Sequence, residues 1–475
     1  MTAFFTPATG FPDLEIKIAY GLARVGIEAG FEPTIKQQKG FYQIAYKNYC
    51  SEQMKRTLLM LLERLLSSGT FFDIGVKAKY KGNYPVNEDV IERIGRLNNI
   101  ETFFDKVHIN KNFNYYKERF CGHDKSINNF GGSSGLILLS SFHAGKPNFR
   151  DKISQNFNQN LCELCGYLAV LGFNSFGFTI QLGKDKNRKY IIFLPVSNKE
   201  ISFNDLLHLL SLQKTMHNFW ISDLLPLKAF TIGLLSKVPS LSDIVNDLQM
   251  YFHLTQVSKD SRGDTAVEQT AFVDAIPFSK FISNSPYNAA TVDNLLGTYK
   301  IQPKISPLIE ISSILEGSKS KNKHNDLLKF ARIYVQETST NDWTNLLYPE
   351  TTLYLLKEVA MIRQDIIENE ALNSLARTLR YFVMEKKYSY ADNIRNAKKE
   401  SRTFEETIAA MLREARLRLT QGEKIHIPTE EAMKEVFTLA NEYFEEIKLA
   451  LVILAFSFPT STKGVTENIE EVQNA

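Results

Sequence analysis

Apolar positions change their period along this chain. In the N-terminal part they switch between a 3.6-residue and a two-residue repeat, and from residue 343 onward the helical repeat dominates. "PDLEIKIAYGLARVGIEAG" sets Leu14, Ile18, Leu22 and Val25 on one stripe and predicts a helix that stops at Gly30. "FEPTIKQQKGFYQIAYKN" reads as two short strands around "QQKG". Ser51 then opens the helix "SEQMKRTLLMLLERLLSSG" as an N-cap, with a glycine at its end. "FFDIGVKAKY" and "LILLSSF" read as strands, and the Cys162–Cys165 region runs on as "GYLAVLGF", which could begin a helix. "FGFTIQLGKDKNRKYIIFLPV" is the clearest hairpin, with Lys184, Lys186, Arg188 and Lys189 in its turn. Ser202 caps the helix "SFNDLLHLLSLQKTMHNF".

The stretch "EGSKSKNKHND", Glu316 to Asp326, is polar and aperiodic, which marks it as a linker. Beyond it four helices fit: "TTLYLLKEVAMIRQDIIEN", "ALNSLARTLRYFVMEK", "TFEETIAAMLREARLRL" and "TEEAMKEVFTLANEYFEEIKLALVILAF". Thr403 with Glu406 makes a capping box for the third, and Thr429 opens the fourth after Pro428. The expected fold is α+β: a mixed domain over 1–325 carrying a β-hairpin arm, then an α-helical bundle over 326–475. "LALVILAFSF" is too short to cross a bilayer, which needs ~20 apolar residues, and reads as a buried helix.

Composition narrows the field. With 44% hydrophobic and 23% charged residues the chain can bury a core, and a formal charge of only +3 means that any nucleic-acid surface is a local patch. The start, "MTAFFTPATGFPDLE", lacks the basic region of a signal peptide, and four cysteines in 475 residues do not make a secreted disulfide framework. Both point to a cytoplasmic protein without membrane association.

Enzyme signatures are incomplete. Neither Gly145–Lys146 nor Gly183–Lys184 has the glycine five residues upstream that a phosphate loop requires. "GGSSG" matches a hydrolase elbow in letters, but a strand-like run follows it where a helix is needed. His123–Asp124 lacks the partner histidines of a metal phosphohydrolase, and no histidine has Glu two residues on, which excludes the zinc-deaminase pattern. Cys162 and Cys165 stand at knuckle spacing. A redox role wants a strand before them, and "RDKISQNFNQN" is polar instead. Cys121 and His123 can complete a Cys3His structural zinc site, with His143 or Asp124 as substitutes; otherwise the two cysteines are small core residues.

Cations gather in three places. One is the hairpin turn. The second is "FFDKVHINKNFNYYKERF", where aromatic residues interleave with lysines. The third is 371–424, with twelve Lys/Arg against seven Asp/Glu, a local +5 that can track a nucleic-acid strand or pair with the acidic helix that follows.

The opening "TGFPDLEIKIAYGLARVGIEAG", the central "FHAGKPNFRD…LCELCG" and the layout of mixed domain then bundle resemble the large subunit of type I CRISPR Cascade complexes in its archaeal-type form. Some relatives carry two CxxC pairs; this chain has one, plus "CGH". The resemblance implies a non-enzymatic subunit of an antiviral, RNA-guided complex. Such a subunit sits at the guide RNA's 5′ end, inspects the protospacer-adjacent motif in target DNA and stabilises the opened strand. Its partners would be CRISPR RNA, the backbone, 5′-handle-binding and small subunits, and a helicase-nuclease. Candidate DNA contacts are Lys184, Lys186, Arg188 and Lys189 on the hairpin, Lys146 and Arg150 before it, and Arg377, Arg380, Arg395, Lys398 and Arg402 in the bundle. The alternatives are a metal-dependent nuclease built around Cys121–Asp124 and a scaffold that touches no nucleic acid.

Overall fold

The computed structural model describes residues 2–68, 88–105, 121–123, 127–128, 130, 161–182, 189–215, 226–259, 265–297, 303–317, 323–338 and 347–457. The chain is mixed α+β and divides into two compact units. Unit 1 comprises 1–223 and 243–276; unit 2 comprises 224–242 and 277–475. The expected division at 325/326 therefore falls inside unit 2. The polar stretch 316–326 leads from one helix of that unit to the next, and the two helices pack on each other. Its polarity marks a connection between neighbours, not a domain boundary.

In unit 1, β1 (Thr2–Phe5), β2 (Thr34–Gln38) and β3 (Phe41–Tyr46) form an antiparallel sheet in the order β1-β3-β2. The β2–β3 turn is at Lys39–Gly40, with Gly40 at φ +85°, a conformation that favours glycine. A second antiparallel sheet has the order β4-β5-β6-β7, formed by Phe178–Leu182, Lys189–Ser197, Met250–Lys259 and Thr265–Asp274. The strands of the predicted hairpin are thus part of a four-stranded sheet in which β5 is central and mostly buried.

Helix α1 (Pro12–Glu28) starts with proline at its first position and buries the predicted stripe of Leu14, Ile18, Leu22 and Val25. It is buried on its other faces too, including Asp13, Glu15 and Lys17. Helices α2 (Ser51–Ser68) and α3 (Glu88–Gly95) follow, then a 3-10 turn at Glu101–Phe104. Helix α4 (Glu163–Phe176) crosses α1 backbone to backbone. A Cβ on Gly21 would sit 1.9 Å from the Leu168 carbonyl oxygen, and one on Gly172 would sit 1.9 Å from that of Lys17. Helix α5 (Phe203–Thr215) opens as predicted at Ser202, whose backbone N–H donates to Asp205 and whose hydroxyl accepts from the Asp205 N–H.

Unit 2 is helical. Its elements are α6 (Leu227–Lys237), α7 (Pro239–Leu248, within which the division falls), α8 (Ile276–Asn284), α9 (Pro286–Leu296), α10 (Ile305–Glu316) and α11 (Lys323–Thr338). Next come α12 (Pro349–Tyr354), a π-turn at Leu355–Val359 and α13 (Gln364–Ile367). The sequence reads this region as one helix over 351–369; the chain breaks it with the π-turn and with Met361 in the left-handed region at φ +59°. Leu355, Val359, Ile362 and Ile366 keep helical spacing and are all buried, so the apolar pattern does not betray the break. Helix α14 (Glu370–Met384) packs on α17 (Glu430–Ser457), with α15 (Ser389–Asn396) and α16 (Thr403–Thr420) alongside. Thr429 caps α17 as expected, accepting from the Ala432 N–H at 3.2 Å. The capping box at Thr403 does not form: Arg402 holds the cap position of α16 and gives no side-chain bond. The apolar end of α17 is buried, and no helix among the described residues is long and apolar enough to cross a membrane.

Candidate metal centre

Cys162 is the N-cap of α4, and Cys165 lies one turn in, so the CxxC spacing aims both sulfurs from the helix start. The Cys162 Sγ accepts from the Cys165 backbone N–H at 3.4 Å, doing what a serine or aspartate cap does. Two backbone bonds hold an earlier segment against this end: Phe130 N–H to Leu161 O at 2.7 Å, and Glu163 N–H to Asn128 O at 2.9 Å. A Cβ on Gly166 would fall 2.1 Å from the Phe130 ring, so the glycine admits that ring. Arg93 of α3 grips the carboxylate of Glu163 through two nitrogens, at 2.8 and 3.3 Å.

This bracing brings Cys121 and His123 onto the helix end. The ligand atoms of Cys121, His123, Cys162 and Cys165 all lie within 4.8 Å of one another. His123 Nδ1 is 3.1 Å from Cys162 Sγ and 3.5 Å from Cys165 Sγ. A tetrahedral zinc with bonds of ~2.3 Å to sulfur and ~2.0 Å to nitrogen has edges of about 3.5–3.8 Å, so these separations suit one. The other imidazole nitrogen, Nε2, is 2.7 Å from the Phe103 carbonyl. That carbonyl can only accept, so Nε2 donates to it, and Nδ1 is the nitrogen that faces the sulfurs and could give its lone pair to a metal. The Phe103 and Phe104 rings stand edge-on to the imidazole at 5.1 and 6.1 Å. Exposure is 0% for the three cysteines and 4% for His123.

The donor set fits a metal electrostatically as well. Burial opposes charge on His123, yet the Cys162 and Cys121 sulfurs outweigh it and hold the imidazole up at about 11. Burial also opposes a thiolate at Cys121, but hydrogen bonds from Cys162, Cys165 and His123 bring it well below the ordinary thiol range. Cys165 is pushed well up by burial and by its sulfur neighbours. Protons alone leave three sulfurs sharing one negative charge in a dry site, whereas a dication would let all of them ionise at the positive end of α4. The cluster could hold a metal ion such as zinc.

The structure places the pair at a helix N-terminus, which the sequence did not establish. It also supplies the Phe103 carbonyl, for which no sequence signal exists.

The candidate nucleic-acid residues fare unevenly. Lys146, Arg150, Lys184, Lys186 and Arg188 lie outside the described residues, as does Asp124. Lys189 is in β5 and pairs with Glu268 of β7 at 3.1 Å. Arg377 and Arg380, one turn apart on α14, differ in burial: Arg377 is exposed, whereas Arg380 is 4% exposed and donates to the Ala455 and Phe456 carbonyls at the end of α17. Arg380 is therefore a helix cap and is withdrawn as a DNA contact. Arg395 pairs with Asp392 at 3.4 Å. Lys398 and Arg402 are exposed at the α15–α16 connection.

Sequence reasoning missed a set of buried ionisable groups in unit 1: Asp13, Glu15 and Lys17 of α1 and His253 of β6. Lys17 is 3.9 Å from Asp13. Their i, i+4 spacing is visible in the sequence, but it ordinarily marks a solvated pair.

No protein-family model and no curated protein matches this chain.

Proposed function

We propose that Cys121, His123, Cys162 and Cys165 hold a structural zinc ion and that the chain is the non-catalytic large subunit of a CRISPR RNA-guided surveillance complex. In this reading it contacts target DNA beside the protospacer-adjacent motif and steadies the opened strand. The carrying observation is the closed ligand set. Four protein donors, all buried and within 4.8 Å of one another, would fill a tetrahedral shell and leave no position for water or substrate, which is the pattern of structural rather than catalytic zinc. This favours a bracing metal over a nuclease centre at Cys121–Asp124. The α+β region followed by a helical region agrees with the layout of the resembled family. Exposed Lys398 and Arg402 are the cations best placed among the described candidates to meet a phosphate backbone.

The test has two readouts. Metal analysis of purified chain should give about one zinc per chain, lost in Cys162→Ser; under roughly 0.2 per chain would end the metal assignment. In the second, the chain is mixed with CRISPR RNA and the backbone and 5′-handle-binding subunits. It should enter the RNA complex and add duplex binding, and a Lys398→Ala/Arg402→Ala variant should lower the salt slope of that binding by about 2. Failure to assemble, or metal-dependent DNA cleavage that Asp124→Ala abolishes, would overturn the reading.

A further inference from the structure

Helix α16 buries one side and leaves the other open. Phe404, Thr407, Ile408, Met411 and Ala415 face inward. Glu406, Ala409, Arg413, Arg416 and Thr420 recur at three- and four-residue steps and are all exposed, with Leu417 beside them at 58% exposure. This is the spacing of a helix seam, on the side turned away from the rest of unit 2. Among the described residues Glu406, Arg413 and Arg416 have no ion-pair partner. Their neighbours Glu414 and Arg418, on the inner flank, pair with each other at 3.0 Å.

The order along this face is acid, small, cation. Acids in a first turn and cations in a last turn suit the dipole of a single helix. The dipole explains neither an exposed leucine nor an alanine set between the two charge groups. A reversed copy of the same face explains both. Alanines at the centre let two helices approach closely, Glu406 of each copy comes opposite Arg413 of the other, and Leu417 is covered.

We propose that the outward face of α16 pairs antiparallel with the same face of a second copy of this chain, about a two-fold axis at Ala409–Ala410. The pairing is independent of the metal reading, but it sets Arg402 of each copy opposite Leu417 of the other, so the dimer and a DNA contact at Arg402 exclude each other. An 18-residue helix is ~27 Å long, so one helix pair covers well under the ~1,200 Å² of a stable interface. The dimer is accordingly weak and forms at high protein concentration.

Sedimentation equilibrium of the full chain over roughly a hundredfold range of concentration tests it. The dimer fraction should rise with concentration and fall as salt is added. Glu406→Arg sets two like-charge pairs across the axis, as does Arg413→Glu, and each variant alone should be monomeric. Mixed in equal amounts, the two restore both opposite-charge pairs and should dimerise, an outcome that misfolding cannot imitate. A monomer across the whole range, a dimer indifferent to both variants, or a mixture no more associated than its components would overturn the proposal.

Discussion

Glu15 shows what burial does to a carboxyl group. Its Oε1 accepts from the Gly10 N–H at 2.9 Å and the Thr9 hydroxyl at 3.1 Å, so it closes the turn that leads into α1. Those bonds favour the charged form, but burial outweighs them and lifts the group from 4.5 to about 7. The folded state therefore prefers the protonated acid. Below pH 4.5 both states are protonated and nothing is lost. Between pH 4.5 and 7 the unfolded chain ionises first, and stability falls as pH rises, by about 3 kcal/mol in all. Glu15→Gln keeps an oxygen acceptor and removes the charge. Denaturant melts across pH 4–8 should show wild type losing ground to the variant through that window and running parallel above it. A constant gap would mean that the carboxyl does not titrate there.

The crossing of α1 and α4 rests on two glycines, each against a carbonyl oxygen of the other helix. Because the obstacle is backbone, it cannot swing aside as a side chain would. Gly21→Ala and Gly172→Ala should each cost at least about 3 kcal/mol, in spite of alanine's better helix propensity. Gly95→Ala is the control. Its Cβ would meet the two Leu59 methyls at 3.6 and 3.9 Å, ordinary contact distances, so that change should be neutral or stabilising by up to ~1 kcal/mol. Urea midpoints of the three variants decide the matter.

Elements of this kind were only partly legible. The stripe of α1, the Gly40 turn, the β4–β5 pair and the Thr429 cap follow from local chemistry and appear where it puts them. The break at Met361 does not, because apolar spacing continues through it, and the bare start of α16 does not, because Thr403 and Glu406 match a capping box in letters while the helix begins at Thr403 itself with Arg402 at the cap position. The cysteine spacing announced a possible knuckle, and the Cys162 cap is a local bond to the Cys165 N–H; that Phe103 fixes the imidazole depends on a residue 20 positions away.

For the molecule as a whole, two compact units with the candidate metal ligands confined to the first imply separable responses. The centre ties α4, the 3-10 turn at Glu101–Phe104 and the segment ending at Phe130 together, and α4 in turn carries α1. If the centre holds zinc as proposed, a chelator should raise hydrogen exchange in α4 and α1 by tenfold or more, equivalent to ~1.4 kcal/mol of local opening. Amides of α14 and α17 should keep their protection. Equal loosening of both units would contradict the division. The boundary near 276 escaped the sequence reading because the chain changes unit without a polar stretch, while the obvious polar stretch joins two helices of one unit.

The glycine crossing has a consequence for how the chain is made. Helix α1 ends at Glu28 and its partner begins at Glu163, about 135 residues later. At ~5–20 residues per second, a ribosome delivers α4 on the order of ten seconds after α1 has emerged. Throughout that interval the face of α1 around Gly21 has nothing to pack against. Asp13, Glu15 and Lys17, which the finished fold has to dehydrate, are then in water and keep the waiting helix from being purely greasy. The groups that weigh on the completed structure are the ones that keep its first helix presentable until the second arrives.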